Sequence, residues 1–152
     1  IRFVQKFERN ENTGMVVARR LGLGAVNKED NKLIKPRKWV NISFNVIANI
    51  LWNRSDYIYD TINGFRAITR DTWNTIKVDT DGYTVEYQST IRCFKHNIQI
   101  VEFPTHELQR IGSGAGSPAL RTGLVFIKLL LREIGISISK IFKNKQCFKN
   151  VK

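Results

Sequence analysis

Between Val40 and Pro104 the hydrophobic pattern changes period several times, and this alternation restricts the fold more than any other feature of the chain. Val40, Phe44, Ile47 and Leu51, with Val46 and Ile50 beside them, recur at helical spacing and predict an amphipathic helix over 40–52. Asn63-Gly64 then marks a turn. The stretch FRAIT after it reads as a strand, and Thr69 is placed to cap a short helix running through Ile76. Asp79-Thr80-Asp81-Gly82 breaks the chain again, because Asp and Gly together favour a tight turn. Tyr83 to Lys95 predicts another helix, with Tyr87, Ile91 and Phe94 or Lys95 along one face. IQIVEF follows as a strand that Pro104 ends. Upstream, Met15-Val16-Val17 ahead of two arginines predicts a short buried strand, and 28–38 a solvated loop. Helices alternating with strands give an α/β layered domain, and 152 residues at 42% hydrophobic are enough for one core.

The C-terminal stretch ALRTGLVFIKLLLREIGISISKIF is strongly apolar but carries Arg121, Lys128, Arg132, Glu133 and Lys140. No uncharged run approaches the roughly 20 residues that a bilayer span needs. A helix lying on a surface is expected instead, either a membrane interface or another part of the protein. The basic tail KIFKNKQCFKNVK suits an anionic leaflet, where each cation near the surface contributes about 1 kcal/mol.

Charge narrows the partners. Lys and Arg number 25 against 13 acids, a formal net charge of +12, which favours nucleic acid, an anionic membrane face or a phosphorylated ligand. Cys93 and Cys147 form neither a disulfide framework nor a zinc spacing, so a reducing compartment fits. The chain opens on Ile1-Arg2-Phe3 without an initiator Met or a signal sequence, as expected of a fragment of a longer protein.

Several chemistries lack their parts. The sequence contains no Gly-x-Ser-x-Gly elbow, no His-Glu-x-x-His and no Walker lysine loop. His106 beside Glu107 reads as a loop hydrogen-bond pair rather than a metal site. Asp79 and Asp81 spell an Asp-x-Asp but read as turn and capping residues. Gly112, Gly114 and Gly116 follow Arg110, so the backbone there can approach an anion closely while Arg110 offers a planar fork to it. A flexible linker is the alternative for these glycines.

Read in order, MVVARR, RKWVNISFNVIANIL, DTINGFRAITRDTW, GYTVEYQSTIRCFKHNIQIVEFPTHELQRIGSGAGS and LRTGLVFIKLLLR resemble the C-terminal half of family 2 glycosyltransferases. The branch they resemble comprises dolichol-phosphate mannosyltransferases and polyprenyl-phosphate glycosyltransferases. The resemblance runs from about Met15 to Arg132, and the acid followed by Gly-Phe-Arg-Ala is its most specific element. It implies the C-terminal portion of a GT-A (nucleotide-diphospho-sugar transferase) α/β domain over 1–118, then an amphipathic, membrane-interfacial helix and basic tail over 119–152. The implied activity is transfer of a sugar from a nucleotide-sugar donor to a polyprenyl or dolichyl phosphate on the cytoplasmic face of a membrane. The segment by itself is expected to be inactive, because the donor-binding half and its divalent Mg or Mn belong upstream.

The resemblance also distributes roles. Arg19, Arg37 and Ser43 match positions that hold the acceptor phosphate, with Lys38 an alternative to Ser43 and a strand-end surface charge an alternative for Arg19 or Arg20. Arg110, with Gly112 and Gly114, matches the loop that closes on the donor diphosphate. Asp60, Gly64 and Arg66 are pocket scaffolding: Phe65 is expected to pack inward, and Arg66 to point to the opposite face, oriented by Asp60. No residue present is assigned as catalytic or as a metal ligand. The physical need for arginines is plain. A lipid phosphate is already ionised, so cations that bring two anions together matter more than a general base. Two departures stand out: Pro118 replaces an expected lysine, for which Arg121 is a substitute, and Gln88 replaces an expected glutamate, with Glu86 retained. A basic nucleic-acid-binding module, suggested by the charge and by Trp39, Trp52, Tyr57 and Tyr59, is the alternative function; no nucleic-acid partner is expected under the transferase reading.

Overall fold

The computed structural model describes residues 2–25, 36–106 and 119–149, with side chains described over 2–25, 38–106 and 122–139. It is a mixed α/β chain divided into two compact units, Ile1–Ala115 and Gly116–Lys152. In the first unit the elements run α1 (Arg2–Glu8), β1 (Thr13–Arg19), α2 (Pro36–Trp52), β2 (Arg66–Ile68), α3 (Arg70–Ile76), a short 3-10 turn (Gly82–Thr84), α4 (Val85–Lys95) and β3 (Gln99–Pro104). The second unit contains α5 (Ala119–Lys149).

β1 is the central strand of a three-stranded sheet ordered β2-β1-β3. β2 runs antiparallel to it, pairing Met15 with Ile68 and Val17 with Arg66, and β3 runs parallel, pairing Val17 with Glu102 and Arg19 with Pro104. Because side chains alternate across a strand, β1 feeds two cores. Met15 and Val17 face α3 and α4 with Ile76, Cys93, Ile68 and Ile100. Val16 and Ala18 face the other way, with Phe103, Phe3 and Phe7. α1, which the sequence reading did not assign, covers this second face. Gly14 is required where β1 passes under α3, since a Cβ there would meet Ile98 Cγ2 at 2.3 Å and Thr72 Oγ1 at 2.4 Å. Cys93 is a core thiol, its pKa pushed up to about 12 by burial.

α2 departs from its expected limits and from its expected face. It starts at Pro36 rather than Val40, because proline suits the first helical position, where its missing N–H is not needed. The residues it buries are Phe44, Asn45, Ala48, Asn49 and Trp52, whereas Val40 and Leu51, from the expected apolar stripe, are exposed. Asparagines at helical spacing replace part of that stripe because they hold a loop. Asn49 Nδ2 donates to Asn45 O and Ile58 O at 2.8 Å each, and its Oδ1 accepts from Ile58 N at 2.9 Å. Asn45 donates to Tyr59 O and accepts from Thr61 N at 3.0 Å. The loop after α2 thus receives from side chains the pairing that a neighbouring strand would otherwise give it. Asn49→Ala is expected to cost roughly 2–4 kcal/mol, since it orphans both Ile58 backbone groups. Urea unfolding of the variant checks this, and a loss below about 1 kcal/mol contradicts it.

The remaining local signals match their geometry. Thr69 caps α3, accepting from Thr72 N at 3.2 Å, and Lys77 ends it in the left-handed region. Arg92 of α4 donates to Ile76 O and Lys77 O, the last carbonyls of α3, and pairs with Asp79 at 3.0 Å. In α5, exposed Leu124, Ile127 and Leu131 lie on the same flank as exposed Lys128 and Arg132. Among the described residues no helix is long and apolar enough to cross a membrane.

Candidate functional site

The carboxyl ends of the parallel pair β1 and β3 lie side by side, Thr105 N donating to Arg19 O at 2.9 Å. In open α/β sheets this end of the strands is where ligands bind. The loop 57–64 is held at this edge by groups from every neighbouring element.

Arg66 is the main anchor. Its Nε donates to Asn63 O at 2.7 Å and its Nη2 to Thr61 O at 3.1 Å. Nη1 faces Glu86 O, Ser89 Oγ and Thr90 Oγ1 at 2.8, 3.0 and 2.9 Å and Met15 Sδ at 3.7 Å, so its two hydrogens are shared among four acceptors. The guanidinium therefore joins the turn before β2 to the first turns of α4. Burial lowers its pKa to about 10, opposed by the charges of Glu86 and Asp60, and it remains a cation at neutral pH.

This arrangement reverses the expected facing. Arg66 pairs with Val17 on the sheet and so shares the face that α4 covers, while the Phe65 ring is exposed and meets Phe3 edge-on at 5.1 Å. The cation goes inward because α4 offers it a carbonyl and two hydroxyls. Asp60 is not bonded to Arg66 either. Its buried carboxylate takes a bidentate pair from Arg20, Nε at 2.8 Å and Nη2 at 3.0 Å, with the Arg20 N–H at 2.9 Å. Arg20, weighed from sequence only as a strand-end charge, is thus what orients Asp60. Gly64 matters for a different reason than a strained turn. Its φ is not positive, and a Cβ there would stand 3.0 Å from Glu86 Oε1.

Glu102 completes the edge and was not singled out by the sequence reading. From β3 its Oε2 accepts from Tyr59 N and its Oε1 from Asp60 N, both at 2.9 Å. A glutamate inside the apolar run IQIVEF was the available signal. Burial pushes its carboxyl up to about 7; the two N–H bonds oppose this, the Asp60 charge adds to it and Arg19 offsets it. A raised folded pKa means stability that is complete below the ordinary value near 4.5 and lost as pH rises through about 7. Urea unfolding at pH 5 and pH 8 is therefore expected to show a decline of about 1–3 kcal/mol that Glu102→Gln removes. Equal pH slopes for the two proteins would contradict it.

Of the residues expected to hold the acceptor phosphate, Arg19 is committed to its own loop. Its Nη1 and Nη2 donate to Leu21 O and Leu23 O at 2.6 and 2.7 Å, and its guanidinium stands over the Tyr59 ring at 5.1 Å. Tyr59 in turn meets Tyr57 edge-on at 5.0 Å. Ser43 is exposed and bonds back to Trp39 O at 3.0 Å within α2. Arg110, Gly112, Gly114, Gly116, Glu107 and Pro118 lie outside the described residues, as do the side chains of Arg37, Arg121 and Cys147 and the basic tail beyond Lys149.

The Asp-x-Asp is structural. Gln88 is buried and holds the first two residues of the turn: Oε1 accepts from Asp79 N, Thr80 N and Thr80 Oγ1 at 3.0, 3.2 and 2.9 Å, and Nε2 donates to Asp79 Oδ1 at 2.6 Å. Asp81 precedes the 3-10 turn without a side-chain capping bond, contrary to its expected role. Among the described residues no three His, Cys, Asp or Glu side chains gather as a metal-binding group, and His106 is exposed. No protein-family model, curated protein or solved structure matches the chain.

Proposed function

We propose that the chain is the acceptor-side half of a GT-A glycosyltransferase of family 2, transferring a sugar from a nucleotide-sugar donor to a polyprenyl or dolichyl phosphate. One observation carries the reading. The residues of the separate motifs, Arg19 at the end of β1 and Arg20 after it, Asp60 to Arg66, Glu86 on α4 and Glu102 on β3, meet around the loop 57–64 at the carboxyl edge of the parallel strands. Motifs far apart in sequence that share one edge at the carboxyl end of parallel strands support a ligand site there.

In this reading an oxygen of the acceptor phosphate attacks the anomeric carbon, the bond from that carbon to the donor diphosphate breaks, and the nucleoside diphosphate leaves with the electron pair. The acceptor is already ionised, so no proton has to be removed. Arg20 and Arg66 act as positioning residues, fixing the loop through Asp60 and through α4. Arg37 and Arg110 remain the proposed phosphate contacts, Arg110 following the end of β3 in sequence. The divalent metal would be held by the donor half, with charge neutralisation its contribution. Exposed leucines and cations on one flank of α5 support a peripheral membrane position, which the reading puts on the cytoplasmic side.

The test is transfer of label from a panel of nucleotide sugars to a polyprenyl phosphate in anionic vesicles, using the protein with its upstream half. Lipid-extractable label that Arg110→Gln abolishes is the expected result. No label from any donor, together with salt-dependent binding of single-stranded RNA, overturns the reading in favour of a nucleic-acid module.

A further inference from the structure

α1 has two unlike faces. At 100° per residue Phe3 and Phe7 fall together and pack on Val16, Ala18 and Phe103. Arg2, Gln5, Lys6 and Arg9 fall within about 100° of arc on the other side, with Glu8 off to one flank. That second face, closed by Phe103 and Pro104, lines a cavity of about 360 Å³. No hydrogen bond or ion pair among the described residues engages the side chains of Arg2, Lys6 or Arg9.

Three cations at this spacing do not help a short helix, since like charges one turn apart each cost a few tenths of a kcal/mol. A seven-residue helix is marginal already. The arrangement makes sense if an anion occupies the cavity. From Arg2 to Arg9, which follows α1 with its N–H still bonded to Gln5 O, the chain rises about 10 Å, longer than one phosphate and suited to two phosphate groups in line. Guanidinium forks at both ends match phosphate oxygens, and the lysine between them supplies a point charge. Phe103 and Pro104 offer an apolar wall to whatever carries the phosphates.

We infer that this cavity is a binding site for a diphosphate ligand, its anions held by Arg2, Lys6 and Arg9 and its apolar part against Phe103 and Pro104. The site stands on the sheet face opposite Arg66 and does not depend on the transferase reading. The diphosphate is either a soluble molecule or the headgroup of a lipid.

Calorimetric titration of the 152-residue chain tests the site, with inorganic pyrophosphate in one arm. In the other, phosphatidylcholine vesicles are used with and without a lipid diphosphate. Combined Arg2→Gln, Lys6→Gln and Arg9→Gln substitution is expected to weaken binding at least about tenfold, whereas the charge-matched Arg54→Gln, Arg70→Gln and Lys77→Gln variant keeps it. Pyrophosphate binding with this pattern marks a soluble ligand; binding only to vesicles that carry the lipid diphosphate, with the same pattern, marks a headgroup. If the triple variant loses its helical circular dichroism, Lys6→Gln alone is read instead, with about a threefold loss expected. Equal weakening in the α1 and control variants, or no binding in either arm, overturns the site.

Discussion

Arg66→Met is expected to lower stability by about 3 kcal/mol, moving the thermal midpoint down by roughly 6–12 °C in a chain of this size. Two effects compete. Removing a buried cation relieves its desolvation, which favours the variant, but the acceptors it leaves behind decide the sign. Asn63 O has no other partner among the described residues, and the Glu86 charge loses a neighbouring cation, whereas Asp60 keeps its pair with Arg20. The cost stays at the lower end of what breaking a buried ionic contact entails, because Thr61 O and Glu86 O keep hydrogen bonds from Thr90 and Ser89. Arg66→Lys should recover only part of the loss, since an ammonium has three donors and lacks the fork that reaches both Asn63 and Glu86. Urea unfolding of both variants checks these figures. If Arg66 positions the loop rather than touching substrate, sugar transfer per folded molecule survives in the Met variant; lost turnover in a well-folded protein would make it a direct participant.

Gln88→Glu carries the other large expected effect. The change looks conservative and restores the residue that the glycosyltransferase resemblance leads one to expect. Yet Gln88 Nε2 stands 2.6 Å from Asp79 Oδ1, and a carboxylate at this fully buried position would oppose the Asp79 carboxylate, which is itself partly exposed to solvent. The Arg92 contact to Asp79 offsets only part of this repulsion. The introduced acid is expected to hold its proton well above the usual carboxylate range and, when protonated, to replace the lost donor. Its folded pKa is raised, so the stability it lends is present at low pH and is lost as pH rises. The variant should approach the parent near pH 4 and fall about 3 kcal/mol below it by pH 8. Unfolding across that range is the check, and a pH-independent difference would show that Asp79 does not face the substituted group.

Local signals in the sequence were legible where one residue fixes the backbone. Thr69 capped α3, Pro104 ended β3, and Met15 to Val17 formed a fully buried strand, because capping, the missing N–H of proline and β-branched burial act within a few residues. What the sequence hid was the facing of polar groups. The stripe on α2 was read from its apolar residues, but Asn45 and Asn49 face inward because the loop 57–61 is not paired to a strand backbone and needs side-chain partners for its own. Arg66 was placed outward for the same reason of type, although α4 supplies acceptors that make the inward position favourable. Glu102 and Arg20 were missed as anchors because their partners are distant: Arg20 and Asp60 are separated by 40 positions, and Glu102 and Tyr59 by 43. Pairings of that kind depend on which elements the sheet brings together.

In the proposed transferase the loop 57–64 and the end of β1 form a receiving edge for a phosphorylated lipid. Hydrogen exchange of the chain with and without a short-chain polyprenyl phosphate tests it most directly. Slowed exchange is expected at the amides of 19–25 and 57–64; slowing confined to α1, or none at any amide, would contradict the proposed function.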